Sequence, residues 1–356
     1  MSEHNTAAKS NQPHGATDVD ACEGLCLVCV DTGTTNMRVW MTEGEHVLAR
    51  VTAQVGVRDT AHDGSPRRLR TALRDAIDEV RARANSVRPS CVVAAGMITS
   101  SLGLADVPHT PAPAGLNELA AAVAMHRFPD VSDLPFLLIP GVRTGKLDAD
   151  TESINEVDLM RGEETLCLGL FEQNSLAANS TLFNLGSHWK AIKLDERGRI
   201  ASSVTRLTGE LLHAAQTNTI LASAVPPERP IELSEPWLAA GMREYGRSGL
   251  SRALFCVRLL EQAGRGTPDE RYAYLAGAFI AADLDSLLAA ETLTPQSPVV
   301  VTGGAAVAAG WLYALAEHTI PAVCLSTEDG EQALLKGLRS IARVFITTHQ
   351  FRRVTS

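Results

Sequence analysis

With 356 residues, 45% of them hydrophobic and 21% charged, the chain has the composition of a globular protein and the length for two domains around a cleft. Disorder and fibrous repeats are excluded on the same grounds. A net charge of −9 without any basic block argues against a nucleic-acid or anionic-membrane partner, while an anionic small substrate stays compatible where a few arginines or lysines converge.

Residues 1–24 are polar and lack the apolar stretch of a signal peptide, so they read as a disordered N-terminal tail. No uninterrupted apolar run reaches the length of a membrane span, and a cytoplasmic protein is expected. The seven cysteines are odd in number and dispersed, which suits reduced thiols. Cys22, Cys26 and Cys29 raise the question of a metal site. On a strand, however, Cys26 and Cys29 point to opposite faces and cannot share an ion.

The first folded element is the stretch Leu27 to Trp40, LVCVDTGTTNMRVW, a predicted hairpin with Asp31 at its tip. Period two puts Val28 and Val30 on one face and Leu27, Cys29 and Asp31 on the other. Gly33 admits a close backbone approach, and Thr34, Thr35 and Asn36 bring hydroxyl, amide and main-chain N–H groups. An acid beside such a nest suits a divalent cation and a polyphosphate, although the same residue types also build an ordinary β-turn. A third strand is expected over His46 to Val57, an amphipathic helix over Ser65 to Arg83 and a buried strand at Cys91 to Ala95. A helix at Leu116 to His126 and a strand at Phe136 to Pro140 follow, giving the order β-β-β-α-β-α-β.

The polar segment Gly141 to Asp158 reads as a loop between lobes, and Met160 to Phe171 as a helix with acids in its first turn. The hairpin plan then returns. Strands are expected at Ser180 to Asn184, Trp189 to Leu194 and Ile200 to Leu207, with Gly186-Ser187-His188 as the tip, so an internal duplication is indicated. Four helices follow, at Gly209 to Ala222, Pro236 to Tyr245, Ser251 to Gln262 and Asp269 to Ala290. The strand Pro298 to Val301 enters Gly303-Gly304 and a helix to Glu317, and a strand at Val323 to Leu325 and a helix at Glu328 to Phe345 close the chain. Two such lobes bring the turn Asp31 to Asn36 opposite Gly186, Ser187 and Lys190. Phosphates would lie between two sets of backbone donors, with the acid holding Mg²⁺. Gly303 and Gly304 suit a backbone approach to a nucleotide, and tight strand-helix packing equally.

The segments DTGTTNMRVW, AAGMITS, PHTPAP, IPGV, LMRGEETLCLG, GSHWKAIKLDERGRI, TRLTGELLHA, LAGAFIAADL and GLRSIA together resemble the 2-dehydro-3-deoxygalactonokinase family, within the superfamily of sugar kinases, actin and heat-shock ATPases. The resemblance runs from about Val28 to Arg343. It implies an α/β fold of two ribonuclease H-like lobes around a cleft, divided here as residues 25–158 and 159–356. It also implies ATP and Mg²⁺ as cofactors, with phosphorylation of the 6-hydroxyl of 2-dehydro-3-deoxy-D-galactonate. One departure concerns the second phosphate turn, which in the superfamily usually begins with an aspartate and here has Asn184. Asp31 is then the main carboxylate for the metal.

On the same resemblance Arg161 is a fork for the substrate carboxylate, Glu163 the weakly preferred catalytic base, and Glu164 a sugar contact, where composition alone favours a solvated helix start. Gly96, Met97, Arg206 and Glu210 complete the substrate side, and Lys190 a phosphate contact, although Lys190 and Arg206 fit surface charges on an edge strand equally well. Thr208-Gly209-Glu210 fits helix capping, with Thr208 as the cap, and substrate contact equally. Ser187-His188 lacks a G-x-S-x-G elbow, and His62, His109 and His126 lack metal-ligand spacing. A kinase of another sugar acid, or a nucleotide-dependent binding protein without chemistry, are the competing readings.

Overall fold

The computed structural model describes residues 24–84, 87–146 and 148–354. The expected tail and Cys22 lie outside the described residues. Lobe I opens with β1 (Cys26–Thr32), β2 (Met37–Glu43) and β3 (His46–Ala53), followed by α1 (Val57–Asp63), α2 (Arg67–Arg83) and β4 (Cys91–Gly96). After β5 (Thr110–Pro111) and α3 (Leu116–Ala121) come β6 (Ala124–Arg127) and β7 (Pro135–Leu138). The strand order is β3-β2-β1-β4-β7-β6, with β1 antiparallel to β2 and parallel to β4. Next are β8 (Val142–Thr144), β9 (Asp158–Met160) and α4 (Glu163–Glu172).

Lobe II repeats the plan with β10 (Thr181–Leu185), β11 (Trp189–Leu194) and β12 (Ile200–Arg206). The helices α5 (Thr208–Asn218), α6 (Glu235–Ser248), α7 (Leu250–Gln262) and α8 (Pro268–Ala289) follow. Then come β13 (Val299–Gly303), α9 (Ala305–Glu317), β14 (Ala322–Cys324) and α10 (Thr327–Val354). Its strand order, β12-β11-β10-β13-β14, matches the first five strands of lobe I. The registers match as well: Thr32 pairs with Gly96 and Leu185 with Gly303, and both glycines have positive φ, 85° and 129°. Asp31 and Asn184 therefore occupy equivalent places, as do their cross-strand partners Arg38 and Lys190.

Alternation along the strands sorts the core into layers. Val28 and Val30 pack with α2, whereas Leu27 and Cys29 face the middle of the molecule with Leu182, Ile192 and α10 residues such as Leu338. The far side of the second sheet packs on α8 and α9 through Phe183, Trp189 and Trp311. Cys26 and Cys29 do fall on opposite faces, and burial pushes both thiols up to about 11. α8 is long and apolar enough to cross a membrane, yet it lies in the core of lobe II.

Four expectations change. The third strand stops at Ala53, because Gly56 starts a separate helix, α1, whose Val57 and Arg58 N–H groups bind the carbonyls of Gly33 and Thr34. The predicted helix Leu116 to His126 ends at Ala121. Residues Ala124 to Arg127 instead hydrogen-bond to β7, so an edge ladder outweighs the helix propensity of an alanine-rich run. The segment Gly141 to Asp158 contains β8, which pairs with β5 and with β9 in a small sheet. Finally, Leu207 caps α5, and Thr208 is its first helical residue.

Candidate active site

The cleft between the lobes holds a cavity of about 420 Å³. Asp31 and Arg38 reach it from lobe I, Asn184 and Thr302 to Gly304 from lobe II. The first turns of α4 and α10, with Gly162, Glu163, Gly330 and Glu331, close it between them. Strand ends thus supply the polar groups, as expected where parallel strands finish at a topological crossing.

Asp31 lies directly across the hairpin from Arg38, whose Nε and Nη2 donate to Oδ2 at 3.1 and 2.6 Å. No hydrogen bond to Oδ1 is described. That side of the carboxylate looks onto Gly96 and Gly162: a Cβ built on Gly96 would stand 3.1 Å from Oδ1, and one on Gly162 3.9 Å from it. Asn184 differs from its counterpart, since its Oδ1 accepts from Thr302 Oγ1 at 3.0 Å.

The two glutamates of the RGEET stretch part company. Glu163 lines the cavity and has no hydrogen bond or ion pair among the described residues. Glu164 is fully buried and accepts from the N–H of Gly162 at 2.7 and 2.9 Å and from Thr165 Oγ1 at 3.1 Å. This holds Gly162 at a φ of 107°, a conformation that only glycine adopts freely, against Gly96. Glu164 is therefore a support beneath the cavity and does not line it.

Burial, with help from Glu163, pushes the Glu164 carboxyl up to about 7 from 4.5, so the native state keeps a proton that the unfolded chain releases. Its stabilising contribution is present below about pH 4.5 and is lost as pH rises through about 7. His109 runs the other way, since burial and the Arg161 charge push it down to about 4. The effect of Glu164 is isolated by difference. The melting temperature of Glu164→Gln minus that of the unaltered chain should climb between pH 4.5 and 7, and a flat difference would contradict burial as the cause.

Arg161 is held within lobe I. Nη1 donates to Thr99 Oγ1 at 3.0 Å and Nη2 to the Val107 carbonyl at 2.7 Å, with His109 and Asp106 alongside. Since Thr99 in turn donates to the Gly96 carbonyl, Arg161 ties the AAGMITS turn, with half-buried Met97, to the start of α4. Two of its N–H groups are thus engaged inside lobe I, while the residue also lines the cavity where a substrate carboxylate is expected.

Lys190 is also placed elsewhere than expected. It is 3% exposed, its ammonium donates to the Leu159 carbonyl and to Thr205, and it stands near Asp158, away from the cavity. The cation beside the first turn is Arg38, which the sequence reading passed over. Its signal was its register: on an antiparallel hairpin Asp31 and Arg38 stand opposite on one face. The turn Gly33, Thr34, Thr35 and Asn36 lies just beyond Asp31 and is closed by a Gly33 N–H to Asn36 carbonyl bond. Gly186 and Ser187 form the matching turn of lobe II, where His188 Nε2 stands 3.3 Å from Glu210 Oε1. Arg206 ends β12 with its Nε buried and without a hydrogen-bond partner. Gly303 and Gly304 border the cavity directly ahead of α9.

Two lobes of one plan closing on such a cavity define a carbohydrate kinase of the actin-like ATPase fold. The sequence model of the 2-keto-3-deoxy-galactonokinase family matches residues 31–341, and the chain belongs to that family. It is 25% identical over 316 residues to the 2-dehydro-3-deoxygalactonokinase of Escherichia coli (strain K12), covering 88% of this chain and 97% of that one. A Rhizobium meliloti (strain 1021) protein carrying the name 2-dehydro-3-deoxygalactonokinase DgoK1 is 28% identical over 319 residues, 88% of this chain and 95% of its own. A solved Sinorhizobium meliloti structure that carries the same enzyme name superposes with a TM-score of 0.71 at 23% identity, over 89% of this chain and 96% of that one. The Acidaminococcus fermentans (R)-2-hydroxyglutaryl-CoA dehydratase component A shares the fold at a TM-score of 0.50 and 15% identity, over 90% and 99% of the two chains.

Proposed function

We propose that the cleft transfers the terminal phosphoryl group of ATP to the 6-hydroxyl of 2-dehydro-3-deoxy-D-galactonate, leaving ADP and the 6-phospho sugar acid. The reading is carried by the convergence of Asp31, Glu163 and the Gly303-Gly304 strand end on one cavity, in a chain of this family. Glu163 accepts the proton of the attacking hydroxyl, a role open to it because its carboxylate is in the cavity and unpaired. Arg38 and the backbone N–H groups of Thr34 to Asn36, Gly186 and Ser187 neutralise and orient the phosphates, Gly33 closing the turn. Gly96 and Met97 border the sugar acid, and Arg161 holds that turn in place through Thr99. Arg206 and Glu210 stand on the lobe II side.

The donor set fits Mg²⁺. Among the described residues no group of three or more His, Cys, Asp or Glu side chains is arranged for a metal. A lone carboxylate oxygen, Asp31 Oδ1, is what an ion needs when nucleotide phosphates and water complete its shell. When bound, the ion offsets the charge of the phosphates. Closure of the lobes then excludes water, so that the hydroxyl and not water receives the phosphoryl group.

A coupled ADP-release assay across a panel of sugar acids tests this reading. 2-Dehydro-3-deoxy-D-galactonate should stimulate ADP release well above the rate without acceptor. Stimulation by a different sugar acid alone would reassign the substrate, and no stimulation by any at saturating Mg-ATP would reject the kinase chemistry.

A further inference from the structure

We infer that Asp283, a buried carboxylate on α8, is a positioning residue for nucleotide binding: it fixes the start of α5 so that Gly209 sets the backbone of the Gly186-Ser187 turn. This rests on the reading above that the turn receives nucleotide phosphates.

Asp283 is 9% exposed, in the otherwise apolar stretch LAGAFIAADL. A carboxylate there is costly, and burial raises its proton affinity. Thr208 answers it, donating from Oγ1 to Asp283 Oδ2 at 2.5 Å, and Arg206 places its positive charge nearby. Acid, hydroxyl and cation thus meet where β12, α5 and α8 join.

The next residue carries the consequence to the cleft. A Cβ on Gly209 would stand 2.4 Å from the Ser187 carbonyl oxygen and 2.5 Å from that of Gly186, so the first turn of α5 lies flat on the backbone of the phosphate turn. Lobe I braces its turn with the same close approach, at Gly56, where a Cβ would come within 2.4 Å of Thr34. There, main-chain hydrogen bonds from Val57 and Arg58 lock the contact. In lobe II no main-chain bond between α5 and the turn is described, and among the described residues the polar link between them is the solvent-facing pair of His188 and Glu210. The seat of α5 is therefore set from outside the turn, by Thr208 on Asp283 and by Arg229, whose Nη2 donates to the Gly209 carbonyl at 3.2 Å.

α8 is a firm anchor for this. It crosses α6 at two reciprocal glycines: a Cβ on Gly241 would meet the Tyr274 carbonyl oxygen at 2.0 Å, and one on Gly277 the Leu238 carbonyl oxygen at 2.1 Å. The Thr208 to Asp283 bond thus transmits the position of a rigid helix pair to the turn.

Steady-state kinetics of Thr208→Val, Thr208→Ser, Asp283→Leu and Gly209→Ala test the inference. Thr208→Val keeps the shape but removes the donor, and should raise KM for Mg-ATP about tenfold, in line with loss of a charge-assisted hydrogen bond. KM for the sugar acid should stay within about twofold, and Thr208→Ser should restore the value for Mg-ATP. Adding Asp283→Leu to Thr208→Val should raise KM for Mg-ATP no further; an additional, independent rise would place the effect of Asp283 elsewhere. If Asp283→Leu does not fold, the Thr208 pair decides alone. An unchanged KM for Mg-ATP in Thr208→Val while Gly209→Ala raises it overturns the role of Asp283 and leaves the phosphate turn standing. If Gly209→Ala also leaves KM for Mg-ATP unchanged, the reading of the turn fails. A loss of active enzyme with neither KM moved, and no rescue by serine, would make the pair merely structural and reject the inference.

Discussion

Asp31→Asn should lower turnover about 10³-fold on the proposal that Asp31 holds Mg²⁺, because a catalytic metal contributes several kcal/mol of charge stabilisation and each 1.4 kcal/mol is tenfold in rate. The loss should be this large because the equivalent position in lobe II is Asn184, whose Oδ1 is taken up by Thr302, so no second carboxylate stands at the strand ends. The substitution keeps the size and shape of the side chain. It weakens the pair with Arg38, whose side chain is 34% exposed, so the stability change should stay within about 1 kcal/mol. The checks are kcat with Mg-ATP saturating and a thermal melt on the same sample. Turnover near that of the unaltered chain would mean that the metal is held elsewhere.

The second large effect is on stability. A methyl group at Gly169 or Gly337 should destabilise the protein by about 3 kcal/mol or more, the upper range of overpacking. The helices α4 and α10 cross there with backbones in contact: a Cβ on Gly169 would lie 1.7 Å from the Ala333 carbonyl oxygen, and one on Gly337 2.0 Å from that of Thr165. Backbone cannot step aside as a flexible side chain can, so the helices must separate and open the central core of Cys167, Leu168, Ala333 and Leu338. Because Glu163 and Glu331 sit on these two helices at the cavity, activity should fall with stability. Gly246→Ala on α6 is the control. No atom lies within 4 Å of its Cβ position, so it should be neutral or stabilising by about 0.5–1 kcal/mol. Comparison of thermal midpoints for the three variants decides; a small shift for Gly169→Ala would mean the crossing is looser than described.

Glu45 adds a polar clasp between lobe I and α10. Sitting in the turn between β2 and β3, it takes Arg339 Nη2 at 2.7 Å, with Lys336 at 3.4 Å and Arg343 at 3.8 Å. Trp40 and Arg50 hold Glu331 of α10 in the same way, at 2.9 and 2.8 Å. These contacts join residues nearly three hundred positions apart and tie α10 to the β1–β3 hairpins of lobe I.

The amino-acid sequence by itself determined both hairpins, the duplication, α2, and the placement of Asp31 at a strand end. Each is a local pattern, a period of two or of three to four closed by turn residues, and such patterns need no distant partner. The family motifs were legible too, but not the division of labour within them. Only the tertiary structure decided that Glu163 enters the cavity while Glu164 folds back beneath Gly162, since adjacent residues at a helix start diverge by about 100° and what each meets depends on Gly96. The same holds for Lys190, whose equivalence to Arg38 is visible in register, yet whose charge is consumed by Leu159 and Thr205. It holds again for Asp283, 75 positions from Thr208. Burial, ion pairing and close backbone contact are properties of pairs brought together by folding, and a single residue type does not carry them.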